Sequence, residues 1–371
     1  MRSVVAMNLS RLGSLNALEQ TKPGRFWRSY LGGPLPSADT VGRVCALAEP
    51  AGIRQMHRHV YSRLKRMKAL SPLIGGLIPA VLDGHESHAT YRRQCPGCLE
   101  RTIHTKKGDR VQFYHRYVAV TLVTRDMCIM LDAEPMLPGE GEIATANRLM
   151  DRVCEKYPRA FDVVLGDALY ADSVFFNHML SKGKDAMAVL KDDRRDLLKD
   201  ATSLFDQMPP VEVQTNRMKS LHWDVEDFTS WSQVNCPVRV VRSCETRTVR
   251  KQLDGREKDS PSNWVWVTTL SARQASTRTI VKFGHRRWAI ENEGFNELTT
   301  RQHGDHVYKH EPQAMLTFWL MAMLCMNVFV AFYIRNLKPE LREASSMLHI
   351  SRRIAAELYN SIPSGLPKTP L

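Results

Sequence analysis

The chain has 371 residues, 43% hydrophobic and 25% charged: long enough for two or three domains or one large core with insertions, and balanced in a way that excludes a disordered chain, a collagen-like rod or a coiled coil. Lysine and arginine outnumber aspartate and glutamate 52 to 39, and the resulting +13 makes a polyanion such as nucleic acid the first partner to test, although many soluble proteins are basic without one. Eight cysteines, of which only Cys95 and Cys98 are closely spaced, do not make a secreted disulfide scaffold, and the opening segment breaks at Ser10-Arg-Leu-Gly before a signal-peptide core forms, so reduced thiols and a cytoplasmic location are expected.

Residues 1–75 read as largely helical. Ser37-Ala-Asp39 is placed to cap a helix over 40–47 that ends near Pro50-Ala-Gly, and Ile53, Met56, Val60, Leu64 and Met67 mark the apolar face of a second helix over 53–70. Its other face carries Arg54, Arg58, Arg63, Lys65, Arg66 and Lys68, which suits either phosphate contact or plain solvation. After Pro72 the apolar run Gly76–Leu82 predicts a buried strand with Asp83 at its exit, although Pro79 argues against a central position. Strands are expected over 112–123 and 127–133, giving an antiparallel three-stranded start. A helix over 139–157, a strand over 161–165 leading through Gly166 to Asp167, a helix over 173–181 and a strand over 186–190 then imply a parallel half.

Residues 192–270 break this rhythm with polar turns and short alternating runs at 220–229, 238–244 and 264–269, and read as a β-rich insertion. Residues 277–301 return to a long polar helix. The run Ala314–Ile334 contains no charged residue and is long enough to span a bilayer, yet it includes Thr317 and Asn327 and has basic flanks on both sides (Lys309, His310, Arg335, Lys338), so a buried core helix and no membrane partner are expected. The tail 362–371 is expected to be loose. The division is 1–75, a helical region; 76–191 with 271–335, an α/β core; 192–270, the insertion; and 336–371, a C-terminal helix and tail.

Two apolar strands thus each deliver an aspartate, Asp83 and Asp167, to what adjacency would make one sheet edge. Ionised carboxylates crowded there repel unless divalent cations lie between them, and Mg²⁺ suits a site that leaves room for water and phosphate oxygens. A third carboxylate from a neighbouring helix, Glu291, would complete a two-metal clamp for phosphoryl transfer. Taken singly, aspartates beside glycine are more often turn or cap residues. Arg287 lies one helical turn before Glu291, a spacing that also suits a structural ion pair. On the functional alternative Glu291 ligates metal, Lys282, Arg286 and Arg287 hold a DNA backbone, and Trp288 stacks on an unpaired base.

Asp83 at its strand, the segment Val-Val-Leu-Gly-Asp167-Ala-Leu-Tyr-Ala-Asp and the string Arg-Trp-Ala-Ile-Glu291-Asn-Glu-Gly-Phe-Asn-Glu-Leu together resemble the three catalytic segments of DDE transposases of bacterial insertion sequences, over roughly residues 75–335. The resemblance implies an RNase H-like mixed sheet with flanking helices, of the subgroup with a β-rich insertion before the glutamate helix. It implies metal ligation by Asp83, Asp167 and Glu291, with two Mg²⁺ ions for which Mn²⁺ can substitute, and contact of Arg287 with the transposon end. The reaction implied is cleavage at transposon ends followed by attack of the freed 3′-hydroxyl on target DNA, by a homodimer on double-stranded DNA in the nucleoid, with residues 1–75 handling the ends. The subgroup's signature is Tyr, two residues, Arg, three residues, Glu, six residues, Lys. Here Arg287 and Glu291 match, whereas Gly284 and Leu298 stand at the tyrosine and lysine positions. Asp172 and Glu293 are competing candidates, set aside because Asp167 abuts the apolar strand and Glu291 completes the Arg-Trp-x-Ile-Glu string. The alternative function is a non-catalytic DNA-binding protein derived from such an element.

Cys95-Pro-Gly-Cys98 has the spacing of half a zinc site, for which His85 and His88, with His104 nearby, are the expected nitrogen ligands; a Pro-Gly turn in a hairpin connection or a thiol redox pair are the alternatives. His303, His306 and His310 form a further polar group, suited to DNA contact or to an exposed loop.

Overall fold

The structure, a computed structural model, describes residues 1–191, 196–215, 218–250 and 257–360; the tail expected to be loose lies outside them. Five helices open the chain: α1 (Arg2–Leu9), α2 (Leu15–Gln20), α3 (Phe26–Leu31), α4 (Ala38–Leu47) and α5 (Pro50–Arg66). Ser37 caps α4, its hydroxyl accepting from the Thr40 amide at 3.3 Å. Pro50 starts α5 at a position where its missing N–H costs nothing, rather than serving as a break. The apolar stripe of α5 is rotated from the expected one: Ile53, His57, Tyr61 and Leu64 are buried, while Met56 and Met67 are exposed. The polar His57 takes a core position because its ring bonds the Leu320 carbonyl at 2.9 Å.

Strands β1 (Pro79–Thr90), β2 (Leu99–Thr105), β3 (Gly108–Val123) and β4 (Cys128–Pro135) follow, then α6 (Glu142–Lys156), β5 (Val163–Gly166), α7 (Ser173–Ser181), β6 (Asp185–Val189), α8 (Asp196–Phe205) and β7–β10 (Val211–Thr215, Met218–Phe228, Val238–Arg250, Glu257–Thr268). Helix α9 (Thr277–Arg286), two π-helical segments (Ile290–Phe295 and Glu297–Arg301), α10 (Pro312–Arg335), α11 (Pro339–Ala344) and α12 (Met347–Asn360) complete the described chain.

Among the described residues ten strands form one sheet, ordered β2-β3-β1-β5-β6-β10-β9-β8-β7, with β4 also paired to β3. The pairs β1–β3 and β3–β4 are antiparallel and β1–β5 and β5–β6 parallel, the mixed sheet of an RNase H-like fold. Pro79 is the first residue of β1, where a strand tolerates proline, so β1 is central after all.

Three expectations need correction. Strand β1 does not end at Asp83 but runs on to Thr90, because its polar half pairs with β3, which in turn pairs with a hairpin strand, β2, that the polar sequence did not signal. The stretch 192–270 carries helix α8 as well as strands, and those strands extend the same sheet, β10 pairing antiparallel with β6. The helix expected over 277–301 is regular only to Arg286; beyond the Arg287–Trp288 turn it widens into π-helical segments that bury Ile290, Phe295 and Leu298.

Both faces of the sheet are covered. Along β1 and β5, Val81 and Leu165 point to one core with α9 and α10, and Ala80, Leu82 and Val164 to another with α6 and α7. Helix α10 is long and apolar enough to span a membrane, and 78% of its most apolar stretch is buried in this fold, against α1, α4, α5 and β4. Its Asn327 accepts from the Met130 amide at 3.0 Å and donates to the Met130 carbonyl at 2.7 Å, so it supplies edge strand β4 with the partners a further strand would give.

Candidate active site

Side chains alternate along a strand, so Asp83 shares the face of Val81, and Asp167, just past β5, that of Leu165. Pro79, Ala80 and Val81 pair with Val163, Val164 and Leu165, a register that, carried two steps further, sets Asp83 level with Asp167. That face is covered by α9 and the turn and π-helical segment that follow it, which bear Arg287 and Glu291. Arg287 lies 3.6 Å from Asp83 and 3.2 Å from Glu291, its guanidinium bridging the two carboxylates while stacked 4.3 Å from the Trp288 ring centre. Asp83, within β1, and Asp167, just past the carboxyl end of the adjacent parallel strand β5, are therefore level on one face, and Arg287 brings Glu291 to them.

The electrostatics follow from this placement. Burial pushes the Asp83 carboxyl up to about 7, and Asp167 and Glu291 push the same way, against the Gly84 amide and Arg287. The Gly84 amide donates to Asp83 Oδ1 and the Leu169 amide to Asp167 Oδ1, each at 2.8 Å, so both aspartates are oriented by their own loops. Asp172 instead caps α7, accepting from the Phe175 amide at 3.0 Å, and Glu293 pairs with Arg286 at 2.6 Å and accepts from the Cys128 thiol at 3.0 Å.

Of the residues expected on DNA, Lys282 and Trp288 are exposed, Trp288 at 39%, whereas Arg286 and Arg287 are engaged by carboxylates. The basic face of α5 keeps Arg58, Arg63, Lys65, Arg66 and Lys68 exposed, but Arg54 turns inward to Asp132 at 2.8 Å. The two signature positions that depart from the subgroup face the core. Gly284 lies against the Trp266 indole with no room for any side chain, and Leu298 is fully buried.

A surrounding polar group is not apparent in the sequence. Glu142, on α6, takes a hydrogen bond from the Tyr170 hydroxyl at 3.0 Å and pairs with Arg116 at 2.6 Å. A side chain on Gly84 would run into both Glu142 and Arg116, and one on Gly166 into Tyr170. Burial raises the Tyr170 hydroxyl well above its ordinary range, helped by Glu142, Asp83 and Asp167, so it remains a proton donor beside the site. Tyr170 lies within the segment Val-Val-Leu-Gly-Asp167-Ala-Leu-Tyr, but Glu142 is joined to it only by tertiary packing.

The expected zinc ligands need correction. Cys95 and Cys98 gather with His115 of β3, not with His85. His85 is held away from them, bonded to Asp305 at 2.9 Å and stacked on Phe295 and Trp319. His88 stands opposite His115 in the β1–β3 ladder but outside the three-residue group. His104 pairs with Asp109 at 2.8 Å in the β2–β3 hairpin, and the other histidines separate too, His306 lying against Tyr308 and His310 near His88.

No curated protein matches the chain significantly. The family model of the transposase DDE domain matches residues 81–328, a span that opens two residues before Asp83 and takes in Asp167, Glu291 and most of α10. With the mixed sheet and the grouped carboxylates inside more than half of its length, the chain belongs to the DDE transposase family.

Proposed function

We propose that this protein cuts DNA at the ends of its own insertion sequence and joins the freed 3′-hydroxyl to target DNA, with Asp83, Asp167 and Glu291 as the metal ligands. The observation that carries this reading is the grouping of the three carboxylates on one face, with Asp83 so crowded and desolvated that it holds its proton to about pH 7. Such a donor set fits hard divalent cations: oxygen ligands only, mutually repelling without a countercharge, and partly open at Glu291, whose side chain is 37% exposed. When bound, Mg²⁺ or Mn²⁺ supplies Lewis-acid activation of the attacking oxygen and charge stabilisation at the phosphate.

The chain's own groups do the rest. Arg287 holds Asp83 and Glu291 in one cluster, the Gly84 and Leu169 amides orient the two aspartates, and the Tyr170–Glu142–Arg116 group packs behind them. Lys282, exposed on α9, and Trp288, exposed in the turn just after it, face the DNA, one pairing with phosphate and the other stacking on a base. The partner is double-stranded DNA, bound as a homodimer with the helical residues 1–75 at the transposon ends. The setting proposed with this activity is the cytoplasm, at the nucleoid.

The test is cleavage of the element's own terminal sequence in the presence of Mg²⁺. Asp83→Ala, Asp167→Ala and Glu291→Ala should each drop strand cleavage below detection and leave binding to terminal DNA within about twofold, a change of less than roughly 0.5 kcal/mol. Wild-type cleavage from any of the three rejects the assignment, and binding without cleavage by the wild-type chain favours the non-catalytic alternative.

A further inference from the structure

We propose that Cys95, Cys98 and His115 bind one structural zinc ion, with His88 as the fourth ligand. The Sγ atoms of Cys95 and Cys98 are 3.7 Å apart, and His115 Nε2 lies 3.3 Å from the first and 3.5 Å from the second. Tetrahedral zinc, with Zn–S near 2.3 Å and Zn–N near 2.0–2.1 Å, requires edges of about 3.8 Å between sulfurs and about 3.5 Å between sulfur and nitrogen. Three edges of that tetrahedron are therefore already drawn. A disulfide would bring the sulfurs to about 2.05 Å, and it would leave no reason for an imidazole nitrogen equidistant from both.

The surroundings fit a structural ion. Cys95, Cys98 and His115 are 6%, 2% and 7% exposed, packed with Met315 and against Phe113 and Val307. Buried thiols and a ring nitrogen in an apolar pocket are costly unless something satisfies them, and one soft-ligand cation satisfies all three. The loop is built for close approach: the Cys98 amide donates to the Cys95 carbonyl at 3.3 Å, and a side chain on Gly97 would collide with Pro312 at the start of α10.

The fourth ligand is argued from register. His88 is the direct ladder partner of His115, and residues directly opposite in an antiparallel pair project on the same face. The one irregularity in the β1–β3 register falls between Glu86 and His88 and sets this pairing. His310, whose ring centre is 5.9 Å from that of His88, is the competing candidate. Five residues of extended strand, roughly 16 Å, separate His88 from Asp83, so this site is distinct from the carboxylate cluster. Zinc here would fasten the base of the β2–β3 hairpin to the central sheet and to the start of α10.

The full-length chain, purified without chelator, should carry one zinc per molecule by elemental analysis. Exchange with Co²⁺ should produce the visible bands of tetrahedral cobalt and a thiolate-to-cobalt charge-transfer band. Cys98→Ser should lose about half of that band, His115→Ala should lose stoichiometric zinc, and Asp83→Asn/Asp167→Asn should keep it. His88→Ala should weaken zinc binding at least tenfold with the thiolate band intact, and His310→Ala should leave it unchanged. A wild-type chain that shows no thiolate band with Co²⁺, or that carries a Cys95–Cys98 disulfide, overturns the proposal even if the variants fail to fold. Loss of zinc from the double aspartate variant also overturns it, and an effect of His310→Ala in place of His88→Ala overturns the fourth ligand.

Discussion

At the scale of single residues, the energetic signature of the site is the proton on Asp83. Its carboxyl is raised from 3.8 to about 7, chiefly by burial and then by Asp167. A raised acid binds its proton more tightly in the folded chain than in the unfolded one, so between about pH 4 and pH 7 stability falls as pH rises, and above pH 7 the full penalty of an ionised, crowded Asp83 is present. Asparagine keeps the oxygen that accepts from Gly84 and removes the charge. Asp83→Asn should therefore stabilise the metal-free chain at pH 8 by roughly 1–3 kcal/mol, a gap that closes as pH approaches 4. Thermal melts in chelator at the two pH values measure this, and saturating Mg²⁺ should reverse the order, since the wild type alone then gains ligand stabilisation. Equal melting temperatures at pH 8 would mean that Asp83 is not under strain.

At the scale of elements, the packing of α9 on β10 sets where Arg287 and Glu291 fall. Gly284 is the contact point, its missing side chain allowing the helix to lie on the Trp266 indole. Alanine there must push helix or ring aside, at about 1–3 kcal/mol, the range for an overfilled core. Gly284→Ala should lower the denaturation midpoint accordingly and reduce cleavage more than that loss alone explains, because the displacement moves Arg287 from between Asp83 and Glu291. A variant with wild-type stability and activity would show that the contact does not position the site. Elements built on apolar runs were legible in the sequence: β1 up to Asp83, β3, β4, β5, β6 and α10 each announce a buried face. The polar half of β1 and hairpin strand β2 carry no such periodicity, since much of their surface is exposed. The π-helical turns were hidden for a related reason, as one extra residue per turn leaves the local composition unchanged.

At the scale of the whole molecule, Asp83 and Asp167 were legible as candidates because each follows an apolar strand, and Glu291 because of the Arg-Trp-Ala-Ile-Glu string, whereas His115 and Glu142 are tied to their sites only by contacts across the fold. The net charge of +13 was equally legible, but charge alone does not say which cations meet DNA: Arg54, Arg286 and Arg287 are bound by carboxylates, and Arg58, Arg63, Lys65, Arg66, Lys68 and Lys282 are exposed. Salt dependence separates the two kinds of contact on the proposed DNA face. Each phosphate neutralised releases counterions, so log affinity falls with log salt by about 0.9 per contact, whereas stacking releases none. Lys282→Ala should thus flatten the salt slope for terminal DNA by about 1 and have little effect at high salt. Trp288→Ala should weaken binding by roughly 1–3 kcal/mol at every salt concentration and leave the slope unchanged, provided the end carries an unpaired base. Titrations on blunt and frayed ends at several KCl concentrations distinguish these patterns. If Trp288→Ala changes the slope, or weakens blunt and frayed ends equally, the indole acts by holding Arg287 in place through its stacked ring and not by touching DNA.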